Sequence, residues 1–428
     1  MVSTTTPVSS KFSGWHVVAA AFSVLFVVYA IQFSFGTFVD DVVDDTGWSE
    51  TRLQLIFAIY IFSYSALSAV SGALTDRYGP RRVVAGGALL LTAGYIVWAT
   101  APTVWIAFLG LGVIAPIGMS ASWVPCNATV VRWFVERRGL AIAVTTAGGS
   151  LANILAPPLA ATLVENYGWR VALSSFALVG GSIMLLSAIW FHRDPESLGQ
   201  LPDGSAGDPH VASSSSDTLT GGVSDRASSP VSDTVTSGVT PAEAMRTSTY
   251  WLILSMYALT FLVVFVPFVH VAQFASDLGI SSVTAATVIS SIGVGGLIGR
   301  LLVGPLSDRL GRKPLVLAAF ALETAAFFGI AASDGLAVLY PSAVAFGFAY
   351  GAGVTMLPAL VGDYFGRTHA GAIVGRIFAT AGSLAAVGPY VAQLLVDSSG
   401  SYRFAFVLSG MANGAALLMA TRIRPATN

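Results

Sequence analysis

Three charged side chains stand inside long apolar stretches of this 428-residue sequence: Arg300, Glu323 and Arg376. A charge deep in an apolar segment is energetically costly and usually serves a function. The only lysines of the chain, Lys11 and Lys313, lie outside these stretches. Arginine therefore supplies the interior cations, and its forked guanidinium fits a carboxylate in a way that lysine does not reproduce. The interior is biased towards positive charge, which favours an anionic ligand.

A second feature is a charged turn that occurs twice. "GALTDRYGPRR" begins at Gly72 and "GPLSDRLGRK" begins at Gly304, and each directly follows an apolar run. The first glycine of each copy lets two helices approach closely, and the second allows a tight turn. An aspartate stands between the glycines in both copies, as Asp76 and Asp308.

The composition predicts the elements that position these residues. Hydrophobic residues make up 54% of the chain and charged residues only 10%, where a soluble domain has about a quarter charged. Twelve apolar segments are long enough to span a bilayer as helices. We expect them near 15–39, 51–74, 83–100, 104–131, 139–164, 171–191, 249–275, 281–305, 315–332, 336–361, 371–396 and 402–421.

Positive charge in the short loops predicts the orientation. The loops after helices 2, 4, 8 and 10 contain Arg77, Arg81, Arg82, Arg132, Arg137, Arg138, Arg309, Arg312, Lys313 and Arg367. The opposite loops contain only Arg52, Arg170 and Arg403. This bias predicts a multi-pass protein of the cell membrane with both termini in the cytoplasm, and no removable signal peptide precedes helix 1.

The segment between helices 6 and 7 is rich in Ser, Thr, Gly and Asp, with almost nothing apolar to bury. Such a composition predicts a disordered cytoplasmic linker. We therefore expect an N-terminal six-helix bundle over 1–192, the linker over 193–248 and a C-terminal six-helix bundle over 249–428.

The two halves repeat one another beyond the charged turn. "RWFVERRG" before helix 5 resembles "DYFGRTHAG" before helix 11, and "GWRVAL" opening helix 6 resembles "SYRFAF" opening helix 12. Two parallel six-helix repeats, with the turn G-x-L-x-D-R-x-G-x-R/K in each, resemble the major facilitator superfamily. The resemblance implies an all-α membrane protein with twelve transmembrane helices in two pseudo-symmetric six-helix bundles.

The repeat also predicts a gate. A carboxylate is stabilised at a helix N-terminus, so we expect Asp76 to meet the start of helix 11 near Ala370 and Gly371. Asp308 should meet the start of helix 5 near Gly139. The predicted gating residues are Gly72, Asp76, Arg77, Gly79, Arg81, Gly304, Asp308, Arg309, Gly311, Arg312 and Arg376.

A narrower resemblance concerns "GWHVVAAAFSVLF", "GWSETR", "RWFVERRGLAIAV" and "FVHVAQFASDLGI". These stretches are similar to the oxalate/formate antiporter and monocarboxylate transporter branch. There, an arginine four residues before the helix 8 glycine binds the substrate carboxylate, and Arg300 matches that position. The alternative for Arg300 is a residue that snorkels to the nearby helix end.

The sequence departs from that branch at three places. Gly296 stands where monocarboxylate transporters carry an aspartate, "AIQFSFGTF" lacks their helix 1 lysine, and no lysine stands near Gly382 as it does in the oxalate exchanger. One arginine without a second cation favours a monoanion over a dianion. The missing aspartate and lysine leave open whether a proton is a second substrate.

The other candidate substrate-binding residues are Trp123, His270, Asn153, Tyr350 and Phe378. Trp123 either walls the cavity or is a packing aromatic. His270 matches a common family histidine, and proton carriage, substrate contact and a structural hydrogen bond are all open for it. Asn153, Tyr350 and Phe378 are chosen because helices 5, 10 and 11 line the path in relatives. Glu323 lies on helix 9, which is peripheral in this fold, so we do not expect it to line the path.

The motifs of enzymes and pumps are absent from the sequence. It has no G-x-x-x-x-G-K-[ST], no H-E-x-x-H and no G-x-S-x-G, and its one cysteine, Cys126, excludes a cysteine-based metal site. We therefore expect a monomeric secondary transporter of small monocarboxylates such as lactate, pyruvate or formate, not an enzyme, with no cofactor, metal or nucleic-acid partner. The alternatives are a drug or sugar carrier and a membrane sensor that does not transport.

Overall fold

The computed structural model describes residues 12–204 and 239–423. Within these ranges, twelve helices are long and apolar enough to cross a membrane, as the sequence predicts. The first six are α1 Gly14–Phe33, α2 Glu50–Tyr78, α3 Pro80–Ala99, α4 Val104–Trp133, α5 Arg138–Tyr167 and α6 Trp169–Ala188. The other six are α7 Ser248–Asp277, α8 Ser282–Leu310, α9 Arg312–Ala331, α10 Leu336–Phe365, α11 Ala370–Ser399 and α12 Tyr402–Thr421.

The helices form two six-helix bundles, which confirms the predicted fold class. In the N-terminal half, α1 packs on α5 and α6, and α3 packs on α6. In the C-terminal half, α8 packs on α10, and α9 packs on α10 and α12. The halves meet mainly where α2 lies against α11 and α5 lies against α8.

The two charged turns have the backbone that their glycines predict. A single residue, Gly79, separates α2 from α3, and Gly311 alone separates α8 from α9. Both glycines have φ of 85°, a positive value that residues with a Cβ rarely adopt. We call the end of the bundle that carries these turns the basic end.

Three spans are interrupted near the interface between the halves. α1 ends at Phe33 and a separate helix, Phe35–Thr46, follows it, while α4 is broken after Ser120 and α11 after Ala385. Irregular backbone is tolerated inside a membrane only where protein buries it or a cavity adjoins it. The interruptions therefore point to a central cavity.

The segment between the halves differs at both ends from the linker predicted over 193–248. Pro195–Leu198 and Pro202–Gly204 are short 3₁₀ helices, and Pro241–Ala244 is a helical turn. At the first end, the Asp203 carboxylate accepts hydrogen bonds from backbone amides of the α4–α5 loop, including that of Val135 at 2.7 Å. At the second end, Thr240 and Glu243 form a capping box at the start of the helical turn. The prediction of disorder is therefore wrong at these two ends, and its central part, 205–238, lies outside the described residues.

Candidate functional site

Two adjoining cavities, of about 50 and 30 Å³, lie between the halves. They share six lining residues, so we treat them as one central chamber. The shared residues are Tyr29, Phe33, Trp123, Phe265, Tyr350 and Val354. Phe33, Trp123 and Ala385, which all border the chamber, each stand next to one of the three helix interruptions. The broken spans thus shape this chamber.

Arg300 is a cation in the wall of the chamber. It lies on α8, about 12 Å along the helix axis from Asp308 at the basic end. Its side chain is only 7% exposed, and one terminal nitrogen donates a hydrogen bond to Ser150 Oγ on α5, across the interface. Its Nε is buried and has no hydrogen-bond partner among the described residues. Arg300 therefore keeps an unused donor inside the protein.

The other chamber walls are mostly apolar and aromatic. The Trp123 and Phe378 rings stack across the interface with centroids 4.5 Å apart, and the Tyr350 ring centroid lies 5.4 Å from the guanidinium carbon of Arg300. Asn153 also lines the chamber, on the same helix as Ser150. The structure thus brings together Arg300, Trp123, Asn153, Tyr350 and Phe378. In the part of the chain that the structure describes, no acidic side chain lines the chamber.

His270 lies apart from this group, against α11. Its Nε2 is 3.0 Å from the carbonyl oxygen of Pro389, and its ring packs near Tyr402. Pro389 is the second residue of the helix Gly388–Ser399, in which α11 continues after its interruption. Of the roles that the sequence leaves open for His270, the geometry fits the structural hydrogen bond, because His270 is not part of the chamber lining.

At the basic end, Asp308 lies at the N-terminus of α5 from the opposite half. Its carboxylate accepts hydrogen bonds from the amides of Gly139 at 2.7 Å and Leu140 at 3.0 Å. Gly304 faces the same contact: a Cβ there would lie 2.5 Å from Gly139 O and 2.3 Å from Ala143 Cβ. The close approach that the sequence predicts for this glycine is therefore present.

The pseudo-symmetric contact joins α2 to α11. The Asp76 carboxylate accepts a hydrogen bond from the Ala372 amide at 2.7 Å, and a Cβ on Gly72 would lie 2.1 Å from Gly371 O. Both aspartates thus meet the helix starts that the repeat predicts. We call these two contacts, Asp308 with α5 and Asp76 with α11, the latches.

Four charged residues reinforce the latches, and the sequence analysis did not single them out for this role. Arg132 pairs with Asp76 and donates to Thr368 O at 3.0 Å. Arg138 pairs with Asp363, which Arg312 also reaches at 3.0 Å. The sequence does hold a signal for two of these residues. Arg132 opens "RWF" before helix 5 and Asp363 opens "DYF" before helix 11, so the two repeats carry opposite charges at the same position. Arg367 completes the set, because it donates to Arg132 O at 2.6 Å.

The remaining predicted gating residues lie in different places, and only one of them contacts a latch. Arg312 belongs to the latch, where it contacts Asp308 at 2.6 Å. Arg77, Arg81 and Arg309 have exposed side chains at the basic end. Arg376 lies on α11, and its buried Nη1 has no hydrogen-bond partner in the described chain. The latch contacts described above do not include the Arg376 side chain, so its gating role stays a prediction.

The comparisons with known proteins agree with this architecture. The family model of the Major Facilitator Superfamily matches residues 21–274 and 251–428. The structure of the transporter FucP in the outward conformation superposes with a TM-score of 0.70 over 96% of this chain and 99% of that one, at 15% identity. The chain therefore belongs to the major facilitator superfamily, whose members move small solutes across membranes.

The chain is also similar to curated relatives within that family. Monocarboxylate transporter 11 of Homo sapiens is 29% identical over 422 residues, which cover 93% of this chain and 80% of the relative. Monocarboxylate transporter 13 of Rattus norvegicus is 28% identical over 406 residues, covering 93% and 86%. The chain is thus similar to monocarboxylate transporters over nearly its whole length.

Proposed function

We propose that this protein is a secondary active transporter of small organic monoanions, with monocarboxylates such as lactate, pyruvate or formate as the substrate class. The observation that carries the proposal is the buried Arg300, which faces the central chamber with an unused donor. Burial of a charge without a counter-ion costs several kcal/mol. A carboxylate that enters the chamber supplies that counter-ion.

The second part of the argument is charge balance in the chamber. Arg300 is the one charged residue among the described residues that line it. A monoanion neutralises one arginine, whereas a dianion leaves a negative charge among aromatic walls. Ser150 already holds one terminal nitrogen of Arg300, so it orients the guanidinium towards the chamber.

Transport proceeds by alternating access between the two halves. Both latches join the halves at the basic end, and the contacts of Arg132, Arg138 and Asp363 join the halves there too. Rocking of one half against the other breaks these contacts and opens the chamber on that side. The aromatic pair Trp123 and Phe378 parts in the same movement, because it also crosses the interface.

The orientation follows from the charge of the basic end. The excess of arginine in its loops makes it the cytoplasmic side of a cell membrane under the positive-inside rule. The latches are then an inner gate, and both termini are cytoplasmic. We further propose that the carrier works as a monomer, with its substrate and the lipid bilayer as its partners.

Uptake by purified protein in liposomes tests the proposal. The panel contains lactate, pyruvate, formate and the dianion oxalate, with a neutral sugar and a cationic drug as the rival substrates. We expect uptake of monocarboxylates, inhibited by other monocarboxylates. Uptake of the sugar or drug alone would favour the rival carriers, and no flux of any solute would favour the non-transporting sensor.

A further inference from the structure

The central chamber has a second polar group, apart from the one around Arg300. Arg300 lines only the larger of the two cavities, whereas Gln32 of α1 and Tyr64 and Ser65 of α2 line only the smaller one. All three of these side chains are buried. We call Gln32, Tyr64 and Ser65 the polar end of the chamber. The proposed function uses Arg300 and gives the polar end no role.

Two atoms of the polar end, Gln32 Oε1 and Ser65 Oγ, have no hydrogen-bond partner among the described residues. Other buried side chains of the described chain share this property, among them Tyr60 and Tyr95. Of all these residues, however, only Arg300, Gln32 and Ser65 line the chamber. Buried polar atoms are normally hydrogen-bonded, so unpartnered ones in the wall of a cavity point to a ligand.

The structure leaves space beside Ser65. Gly382 of α11 lies against it from the opposite half, and a Cβ at Gly382 would lie 3.0 Å from Ser65 Oγ. The Tyr64 hydroxyl interacts with the side chains of Gln32 and Ser65. It nevertheless leaves Gln32 Oε1 and Ser65 Oγ without a regular hydrogen bond. Both atoms are therefore available to a group that enters the smaller cavity.

The region that the two cavities share is apolar. Five of the six residues that border both cavities are aromatic, and the sixth is Val354. A ligand that reaches from Arg300 to the polar end therefore needs a carboxylate at one end, an apolar body in the middle and a polar group at the other end. Formate has no such body.

The chemistry of the polar end selects the kind of polar group. Gln32 Oε1 can only accept a hydrogen bond, whereas Ser65 Oγ can donate or accept one. A hydroxyl satisfies both atoms, because it donates to Gln32 and accepts from Ser65. A carbonyl oxygen cannot donate, so it leaves Gln32 Oε1 unpartnered. An ammonium group would add a second cation to a chamber that no described acidic side chain lines.

We propose that the polar end is a specificity subsite for a hydroxyl group, and that the preferred substrates are monocarboxylates with a hydroxyl at the end of the chain opposite the carboxylate. The carboxylate pairs with Arg300, the apolar chain lies among the aromatic residues, and the hydroxyl bonds to Gln32 and Ser65. This proposal rests on the proposed carboxylate function and narrows its substrate class.

Calorimetry of the purified protein with matched acids tests the subsite. The ligands are butyrate, pentanoate and hexanoate, each compared with the derivatives that carry a terminal hydroxyl or a terminal amino group. We expect the hydroxyl to raise the affinity about tenfold at the chain length that spans the chamber, because it satisfies two buried polar atoms. The amino group should lower the affinity at every length. The measured quantity is the ratio of the affinity for the hydroxy acid to that for the plain acid.

Three variants assign the effect to the polar end. Gln32→Leu and Ser65→Ala should bring the affinity ratio close to one, and Gly382→Ala should lower it by crowding the Ser65 hydroxyl. Ser23→Ala is the control, because the Ser23 hydroxyl donates to Ala19 O at 2.9 Å and lies outside the chamber lining. It should keep the ratio of the parent.

The plain acids separate this proposal from the function on which it rests. If they bind but the hydroxyl adds no affinity at any chain length, the subsite is wrong and the carboxylate function stands. A ratio that stays at the parent value in both Gln32→Leu and Ser65→Ala would overturn the subsite in the same way. If no acid binds to the parent at all, both proposals fail.

Discussion

Asp308 of the C-terminal half accepts a hydrogen bond from the backbone amide of Gly139, the second residue of α5 in the N-terminal half, at 2.7 Å. The amides at the start of a helix have no partner within the helix, and the helix dipole favours an anion there. A single carboxylate thus stabilises the closed interface at the basic end. Separation of the halves leaves both the carboxylate and the helix start to water, so the contact can form and break in each cycle.

The two latches should differ in their contribution to stability. Asp76→Asn removes the nearer ion-pair partner of the buried Arg132 and leaves only the half-exposed Asp194 at 3.8 Å, so its cost should approach the roughly 3–5 kcal/mol of a broken buried pair. Asp308→Asn leaves Arg312 paired with Asp363, so its cost should be about 1–3 kcal/mol for the lost charged hydrogen bonds. Thermal unfolding of the purified variants measures the difference. Equal losses would show that Arg132 does not depend on Asp76.

Loss of a latch should also open the basic end. In a background where the buried Cys126 is replaced by alanine, a cysteine at the chamber residue Val354 reports access from that side. Asp308→Asn should raise the rate of labelling by a membrane-impermeant maleimide several-fold, with a smaller change in substrate affinity. An unchanged rate would contradict the gating role of Asp308.

The glycines at the interface should be more sensitive than glycines elsewhere on the helices. A Cβ at Gly304 or Gly72 would overlap backbone or Cβ atoms of the opposite half at 2.5 Å or less, so Gly304→Ala and Gly72→Ala should hold the basic end open. Gly86→Ala is the matched control, since a Cβ there meets nothing within 4 Å. The same labelling assay applies. Parent-like labelling of both interface variants would show that close helix approach at these glycines is not needed for closure.

The ends of the segment between the halves should matter more than its centre. Replacing 206–237 by a Gly/Ser segment of equal length should leave folding and uptake largely intact, because the native composition there is mostly polar and its few apolar residues are scattered. Asp203→Ala should lower the melting temperature, because it removes the acceptor for three amides of the α4–α5 loop. A larger effect from the central replacement than from Asp203→Ala would reverse this assignment.

His270 should affect stability and not substrate affinity. His270→Leu leaves the Pro389 carbonyl without its donor and should cost about 1 kcal/mol, whereas His270→Gln can restore the hydrogen bond. Both variants should keep carboxylate affinity within about twofold of the parent. A tenfold loss of affinity in His270→Gln would instead support the substrate contact that the sequence leaves open.

Hydropathy and the internal repeat together predict most of the architecture. Long apolar runs have no other way to satisfy their backbone in lipid, so the spans follow directly from the sequence. The latches follow from the repeat, because a duplicated turn places Asp76 and Asp308 at equivalent helix starts. Arg300 could be proposed as a chamber residue from two things alone: its residue type, and its match to the substrate-binding arginine of the branch that the sequence resembles.

Other features depend on contacts between distant residues and were therefore missed or misplaced. Ser150 carries no sequence signal that it meets Arg300, since the contact needs α5 and α8 in their exact register. In the sequence, Arg132 has the context of an ordinary positive loop residue. Only the structure shows that it is buried and paired with Asp76. The chain is ordered around Asp203 because this residue accepts hydrogen bonds from the α4–α5 loop, and a polar composition alone does not reveal such contacts.

Carboxylate binding by purified Arg300 variants tests the central claim most directly. Arg300→Lys keeps the charge and loses the fork, and Arg300→Ala loses both; Arg309→Lys, at an exposed position on the same helix, is the control. We predict that lysine weakens lactate or pyruvate binding at least tenfold, that alanine abolishes it without lowering the melting temperature, and that the control binds like the parent. If Arg300→Ala binds and transports monocarboxylates as well as the parent does, Arg300 is not the substrate cation and the proposed function is contradicted.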